Sequence, residues 1–184
     1  MIKQLWRPTL VGAAALFVWH MLMNFTPWHA APIHTLPGEQ VIVDALVAAP
    51  AEPGTYFVNR RPDALGVGPG VWGWMTLHRS EDYAFASALL GSVVGHLLVA
   101  LGLSWLVVRF GPARHAPRIG MIAVMAACGA LAGPVSYYNW SWFSLAYAGT
   151  QVFDWVLGWT IAGALISRTI GLPAHAGERA RAAG

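Results

Sequence analysis

Apolar residues occur in four long runs along the chain, and polar residues are concentrated between the runs. The runs are roughly Thr9–Trp28, Tyr83–Phe110, Arg118–Tyr138 and Trp142–Ile170, each nearly free of Lys, Arg, Asp and Glu. A helix needs about 20 mostly apolar residues to cross a bilayer, so each run is long enough. The pattern predicts an all-α membrane protein, a four-transmembrane-helix bundle with a small extracytoplasmic cap between helices 1 and 2.

These runs divide the chain into four parts. Residues 1–28 are predicted to hold the N-terminal cytoplasmic end and the first membrane helix, and residues 29–82 the cap segment. Residues 83–170 hold membrane helices 2 to 4, and residues 171–184 form a flexible cytoplasmic tail.

Frequent proline and glycine break the cap segment into short pieces. Gly38–Ala49 has apolar residues at helical spacing and predicts a short amphipathic helix. Thr55–Val58 is β-branched and aromatic and predicts a strand, which must pair with Val71–Leu77 or with a partner. Further along, Pro134 directly after Gly133 predicts a kink or an end in the third membrane helix.

Composition excludes several classes of protein. The chain is 57% hydrophobic and 10% charged with a mean hydropathy of +0.52, whereas a soluble domain carries about 25% charged residues. Disorder and a soluble enzyme are therefore excluded. The net charge of +3 is spread over the ends of apolar runs, which argues against a nucleic-acid partner.

The basic residues predict the orientation in the membrane, because cytoplasmic loops carry an excess of Lys and Arg. Basic residues precede the first run, fill the link between the second and third, and follow the fourth: Lys3, Arg7, Arg109, Arg114, Arg118, Arg168, Arg179 and Arg181. Both termini are thus expected in the cytoplasm. Many Trp and Tyr residues fall at the opposite ends of the runs, as in an aromatic belt at the outer interface.

Short motifs support this layout. They are Pro53-Gly54-Thr55-Tyr56, Gly68-Pro69, Asn139-Trp140, Asp154 and Gly158-Trp159. In this order of elements the chain resembles small four-span bacterial integral membrane proteins of unassigned function. The resemblance implies a multi-pass protein of the bacterial inner membrane, and it brings no activity or catalytic residues with it.

Polar side chains inside the predicted spans are the first candidates for function, because they are costly at that depth. His20, His96 and Asp154 are expected at a similar depth, and Gln151 lies on the same helical face as Asp154. Three hypotheses follow. In the first, His20 and His96 bind haem b as axial ligands in an electron-transfer protein. In the second, Asp154 carries protons or ions through a small conductor together with the histidines. In the third, all four residues hydrogen-bond across the bundle and fix its register.

Histidine and methionine near the outer side are a further candidate, since imidazole and thioether together suit copper. These residues are His29, His34, His78, Met21, Met23 and Met75. Their spacing places no two of them together on one regular element, so no metal site is predicted.

Two G-x-x-x-G patterns, Gly91/Gly95 and Gly129/Gly133, predict close helix packing. No clustered catalytic set accompanies them, and we therefore expect no enzymatic activity. The sequence favours an integral membrane accessory or structural subunit, with the lipid bilayer, another membrane protein or further copies of the chain as partners.

Overall fold

The computed structural model of the chain describes residues 2–48, 52–59, 68–79 and 84–170, and 74% of these residues are helical. The predicted tail, residues 171–184, lies outside the described residues. So do Tyr83 and several charged residues of the predicted cap, among them Arg60, Arg61, Glu81 and Asp82.

Helices dominate the described residues, and one hairpin interrupts them. The order is α1 (Ile2–Asn24), α2 (Pro27–Ala30), α3 (Glu39–Ala48), β1 (Gly54–Val58), β2 (Gly73–Leu77), α4 (Phe85–Phe110), α5 (His115–Ala132), α6 (Pro134–Ser141) and α7 (Leu145–Thr169). The prediction of a mostly helical chain is confirmed.

Two helical segments of the described chain are long and apolar enough to cross a membrane. They are α4 and the stretch His115–Ser141, which α5 and α6 form together. Helices α1 and α7 have comparable lengths of 23 and 25 residues. They are more polar, because α1 begins with Lys3, Gln4 and Arg7, and α7 contains Gln151 and Asp154.

Pro134 ends helix α5, as the sequence predicts. Helix α5 stops at Ala132, the N–H of Gly133 donates to the carbonyl of Gly129 at 2.9 Å, and α6 begins at Pro134. Proline is suited to the first position of a helix, because the N–H it lacks has no partner there. After α6, the left-handed backbone of Trp142 (φ 57°) redirects the chain into α7.

Helix α1 packs against both α4 and α7, and α5 packs along α7. One core cluster consists of Ala13, Leu16, Ala100 and Ala162, and a second of Leu103, Val107, Ile122 and Ile166. Small residues in the first cluster let the helices approach closely. We call the end of the bundle with Asn24, Phe85 and Leu145 the cap end, and the end with the α4–α5 connection the link end.

The described residues between α1 and α4 include the short helix and the paired strand that the sequence predicts. Helix α3 covers most of the predicted helix, and β1 pairs antiparallel with β2, with Tyr56 opposite Met75. Trp72 packs edge-to-face against Trp142 at 5.8 Å between ring centroids, which joins the hairpin to the α6–α7 turn. These contacts place the hairpin beside the cap end.

Candidate functional site

Three titratable side chains from three helices meet near the middle of the bundle. His20 lies on α1, His96 on α4 and Asp154 on α7. Nδ1 of His20 is 2.6 Å from Nε2 of His96, and Nε2 of His20 is 3.5 Å from Oδ2 of Asp154. The three residues, which we call the polar triad, therefore form one continuous chain of contacts at the common depth that the sequence predicts.

Trp19 supplies a hydrogen-bond donor to the buried carboxylate of Asp154, which is 6% exposed. The Trp19 Nε1–H donates to Oδ1 of Asp154 at 2.6 Å and also approaches the Asp154 carbonyl oxygen at 3.2 Å. Gly158 makes room for the indole, because a Cβ at this position would lie only 2.5 Å from Cδ1 of Trp19. Sequence reasoning did not identify Trp19, and it named Gly158 only in the Gly158-Trp159 motif and not as a site residue. The one-turn spacing from Asp154 to Gly158 could have indicated a close approach, but not which side chain makes it.

Among the described residues, Gln151 makes no hydrogen bond to the triad, and it extends the polar residues toward the cap end. Its Nε2 lies 3.5 Å from Nε2 of His29 on the short helix α2. Nearby, Trp28 packs edge-to-face on Phe153 at 4.5 Å between centroids. Polar groups thus continue from Asp154 to the cap end of α7.

Toward the link end, the bundle is closed beside the triad. Leu16, Ala100 and Ala162 belong to one buried apolar cluster and Ile166 to the next, and all four are 0% exposed. An apolar, close-packed core offers no polar partners to a row of water molecules. Because the triad itself runs from helix to helix at one depth, a proton passed along it would move sideways and not across the bundle. Conduction through Asp154 stays a prediction, and flux in liposomes carrying Asp154→Asn tests it.

The haem hypothesis can be compared with the geometry of the two histidines. Their ring centroids are 4.8 Å apart with a tilt of 32°, and the nearest nitrogens are 2.6 Å apart. Two nitrogens on opposite sides of one metal ion lie about 4 Å apart if each bond is about 2 Å. The arrangement of His20 and His96 therefore fits a direct hydrogen bond and not a haem plane between the rings. A visible absorption spectrum of the purified protein tests this prediction.

The two glycine pairs have different surroundings. Trp155 of α7 packs over Gly129 and Gly133, with 3.7 and 3.4 Å between its ring and a Cβ built at each position. A Cβ at Gly91 or Gly95 would meet nothing within 4 Å. The pair Gly129/Gly133 therefore serves contacts inside the bundle, whereas the pair Gly91/Gly95 lies on an open face of α4.

The outer histidines and methionines come from several parts of the described chain. Within the residues that the structure describes, no group of three or more His, Cys, Asp or Glu could hold a metal ion. Met75 lies on β2 of the hairpin, opposite Tyr56, whereas His29 faces Gln151. The contacts of these two residues therefore belong to different elements.

No protein-family model, curated protein or solved structure matches this chain. Its function has to be inferred from the geometry described above.

Proposed function

We propose that the chain is an integral membrane accessory subunit that binds another membrane protein through the open face of α4. In this proposal α1, α4, α5 with α6, and α7 all span the bacterial inner membrane, and both termini lie in the cytoplasm. The segment between α1 and α4 forms a small cap on the outer side. The role is structural and requires no catalytic residues.

Membrane insertion is supported by the distribution of polar groups in the long helices. Asp154 of α7 and His20 of α1 are paired with each other inside the bundle. Arg109, Arg114 and Arg168 all lie near the link end, as expected if this end is cytoplasmic. Helices α1 and α7 are therefore compatible with a position inside the bilayer, beside α4 and the stretch that α5 and α6 form.

The open face of α4 is the observation that carries the accessory-subunit proposal. At 3.6 residues per turn, Gly91, Gly95 and Leu98 lie on the face opposite Ala100 and Leu103, which are buried in the bundle. Leu98 is 63% exposed, and the two glycines have open space beside them. Small residues on an open helical face allow a second helix to approach its backbone closely, and this approach stabilises association inside a membrane.

A copurification experiment tests this proposal. The tagged full-length chain is extracted from its native membrane in mild detergent, and the copurifying polypeptides are identified. We expect a stoichiometric membrane protein to accompany the wild-type chain, and its yield to fall about tenfold in Gly91→Leu/Gly95→Leu, the loss that corresponds to about 1.4 kcal/mol.

Ala86→Leu is the matched control, because Ala86 is exposed on α4 but points about 140° away from Gly91 and about 180° away from Gly95. It should retain the partner. Equal loss in Ala86→Leu, or no partner with the wild-type chain, would contradict the proposal. If the chain copurifies only with further copies of itself, the homo-oligomer takes the place of the accessory subunit.

A further inference from the structure

Basic side chains gather at the link end, where the start of α5 meets the end of α7. Nδ1 of His115 lies 2.9 Å from Oγ of Ser167 and joins the two helices. The exposed Arg114 directly precedes His115, and the exposed Arg168 directly follows Ser167. Arg114 and Arg168 therefore extend from neighbouring positions on two elements in contact. We call Arg114, His115, Arg118 and Arg168 the basic junction.

Arg118 is a buried cation at the centre of this junction, and it is 3% exposed. Its Nε and Nη1 donate to the carbonyls of Pro112 and Ile170, which satisfies these N–H groups but leaves the positive charge. The acidic residues of the described chain lie between α1 and α4 or near the middle of the bundle: Glu39, Asp44, Glu52 and Asp154. A buried charge without a counter-charge is unfavourable. The junction therefore favours an anion beside it.

The surroundings of the basic junction indicate which anion can reach it. Large aromatic side chains are exposed at the link end, with Trp6 60%, Trp105 41% and Phe110 62% exposed. Aromatic residues are typical of the level of lipid headgroups, and the cytoplasmic leaflet carries anionic lipids that attract basic segments. The phosphate of a phospholipid lies at this level, and a guanidinium group can bind two of its oxygens at once.

We propose that the basic junction binds the headgroup of an anionic phospholipid, with Arg114 and Arg168 both donating to its phosphate. The inference rests on the proposed membrane location, because this location brings lipid headgroups to the link end. Orientation in a membrane requires only an excess of basic residues near the spans. A headgroup site requires more, because the basic residues must come from elements in contact, as they do here.

The test is native mass spectrometry of the full chain in a neutral detergent, titrated with dioleoyl phosphatidylglycerol or dioleoyl phosphatidylcholine. The two lipids share their acyl chains and their phosphate, but phosphatidylcholine also carries a positive charge. A basic residue near anionic lipid contributes about 1 kcal/mol, or about fivefold in affinity. We expect one phosphatidylglycerol to bind the wild-type chain at least fivefold more tightly than phosphatidylcholine. Arg114→Gln/Arg168→Gln should weaken phosphatidylglycerol binding about 25-fold, fivefold for each arginine.

Arg79→Gln is the matched control, because Arg79 is an exposed arginine beside the hairpin, where its Nη2 lies 3.8 Å from Oε2 of Glu52. It should bind phosphatidylglycerol as the wild-type chain does. A large excess of inorganic phosphate should leave the lipid bound, because the acyl chains add contacts that free phosphate lacks. Displacement of the lipid by phosphate would overturn the assignment to a lipid.

Equal affinity of the wild-type chain for the two lipids, or an equal loss in Arg79→Gln, would overturn the inference. If Arg114→Gln/Arg168→Gln keeps its phosphatidylglycerol affinity but loses the copurifying membrane protein, the basic junction binds an acidic protein and the inference is wrong. If that variant does not fold, the ratio of the two lipids in the wild-type chain still decides. A chain that prefers phosphatidylglycerol but copurifies without a partner would contradict the proposed accessory role alone.

Discussion

Asp154 is stabilised in an apolar bundle by its donors. An aspartate at the centre of a membrane helix costs about 3 kcal/mol on insertion, and a hydrogen bond to a charged group contributes about 1.5–3 kcal/mol. If α7 crosses a membrane, as proposed, the indole N–H of Trp19 at 2.6 Å offsets much of that cost, and the imidazole of His20 lies 3.5 Å from the other carboxylate oxygen. The side chain is therefore tied to α1 and fixes how α1 and α7 face each other.

Gly158 should be intolerant of any side chain, because Trp19 occupies the space beside it. A Cβ would lie 2.5 Å from Cδ1 and 2.9 Å from Nε1 of the indole, and the indole would have to leave Asp154. We expect Gly158→Ala to lower the free energy of unfolding by about 1–3 kcal/mol, measured by denaturant titration in detergent with tryptophan fluorescence as the signal.

Gly149→Ala is the control on the same helix, since a Cβ there meets nothing within 4 Å. Alanine favours a helix over glycine by about 1 kcal/mol, so this variant should be as stable as the wild type or more stable. A Gly158→Ala chain with unchanged stability would show that Trp19 does not need this space.

At the scale of elements, patterns that depend on neighbours in sequence predicted the structure well. Helix α3, the pairing of β1 with β2 and the break at Pro134 follow from local spacing and turn residues, and all are present. The start of α1 was less predictable. The apolar run suggests that the helix starts at Thr9, but the helix begins at Ile2 and contains Pro8. A proline inside a helix removes one backbone hydrogen bond. Leu5 and Pro8 are nevertheless buried in the bundle.

The candidate site was predictable only in part, because sequence gives depth along a helix but not which helices face each other. The common depth of His20, His96 and Asp154 follows from counting residues. The role of Trp19 depends on the rotation of α1 about its axis and on Gly158 in the helix opposite. Neither the rotation nor the facing residue can be predicted from the spacing of residues along the chain. For the same reason the sequence could not distinguish the open pair Gly91/Gly95 from the pair under Trp155.

Arg118 holds together the link ends of α5 and α7. It is 3% exposed, its Nε donates to the carbonyl of Pro112 at 2.7 Å, and its Nη1 donates to the carbonyl of Ile170 at 2.9 Å.

In Arg118→Met both carbonyls lose their donor. We therefore expect faster hydrogen–deuterium exchange over the last turn of α7 and a free energy of unfolding lower by about 1–3 kcal/mol. Arg114→Met, at an exposed neighbouring position, should leave the exchange of that turn unchanged, and an equal effect of both variants would contradict this role.

At the scale of the whole molecule, the number of spans decides on which side each segment lies. If all four long helices cross the membrane, Gln4 and Arg114 lie on the cytoplasmic side and Glu52 on the outer side. If only α4 and the stretch His115–Ser141 cross it, α1 stays on the same side as the cap, and Gln4 joins Glu52. The position of Gln4 relative to Glu52 therefore separates the two topologies.

Cysteine labelling measures this difference directly. Cys128 is the single cysteine, so Cys128→Ala provides a background for Gln4→Cys, Glu52→Cys and Arg114→Cys, all at exposed positions. We expect a membrane-impermeant maleimide to label Glu52→Cys in intact spheroplasts, and Gln4→Cys and Arg114→Cys only after lysis, because the charged reagent does not cross the bilayer. Labelling of both Gln4→Cys and Glu52→Cys before lysis would contradict four spans. Labelling of Arg114→Cys before lysis would instead place the link end outside and reverse the orientation that the basic residues predict.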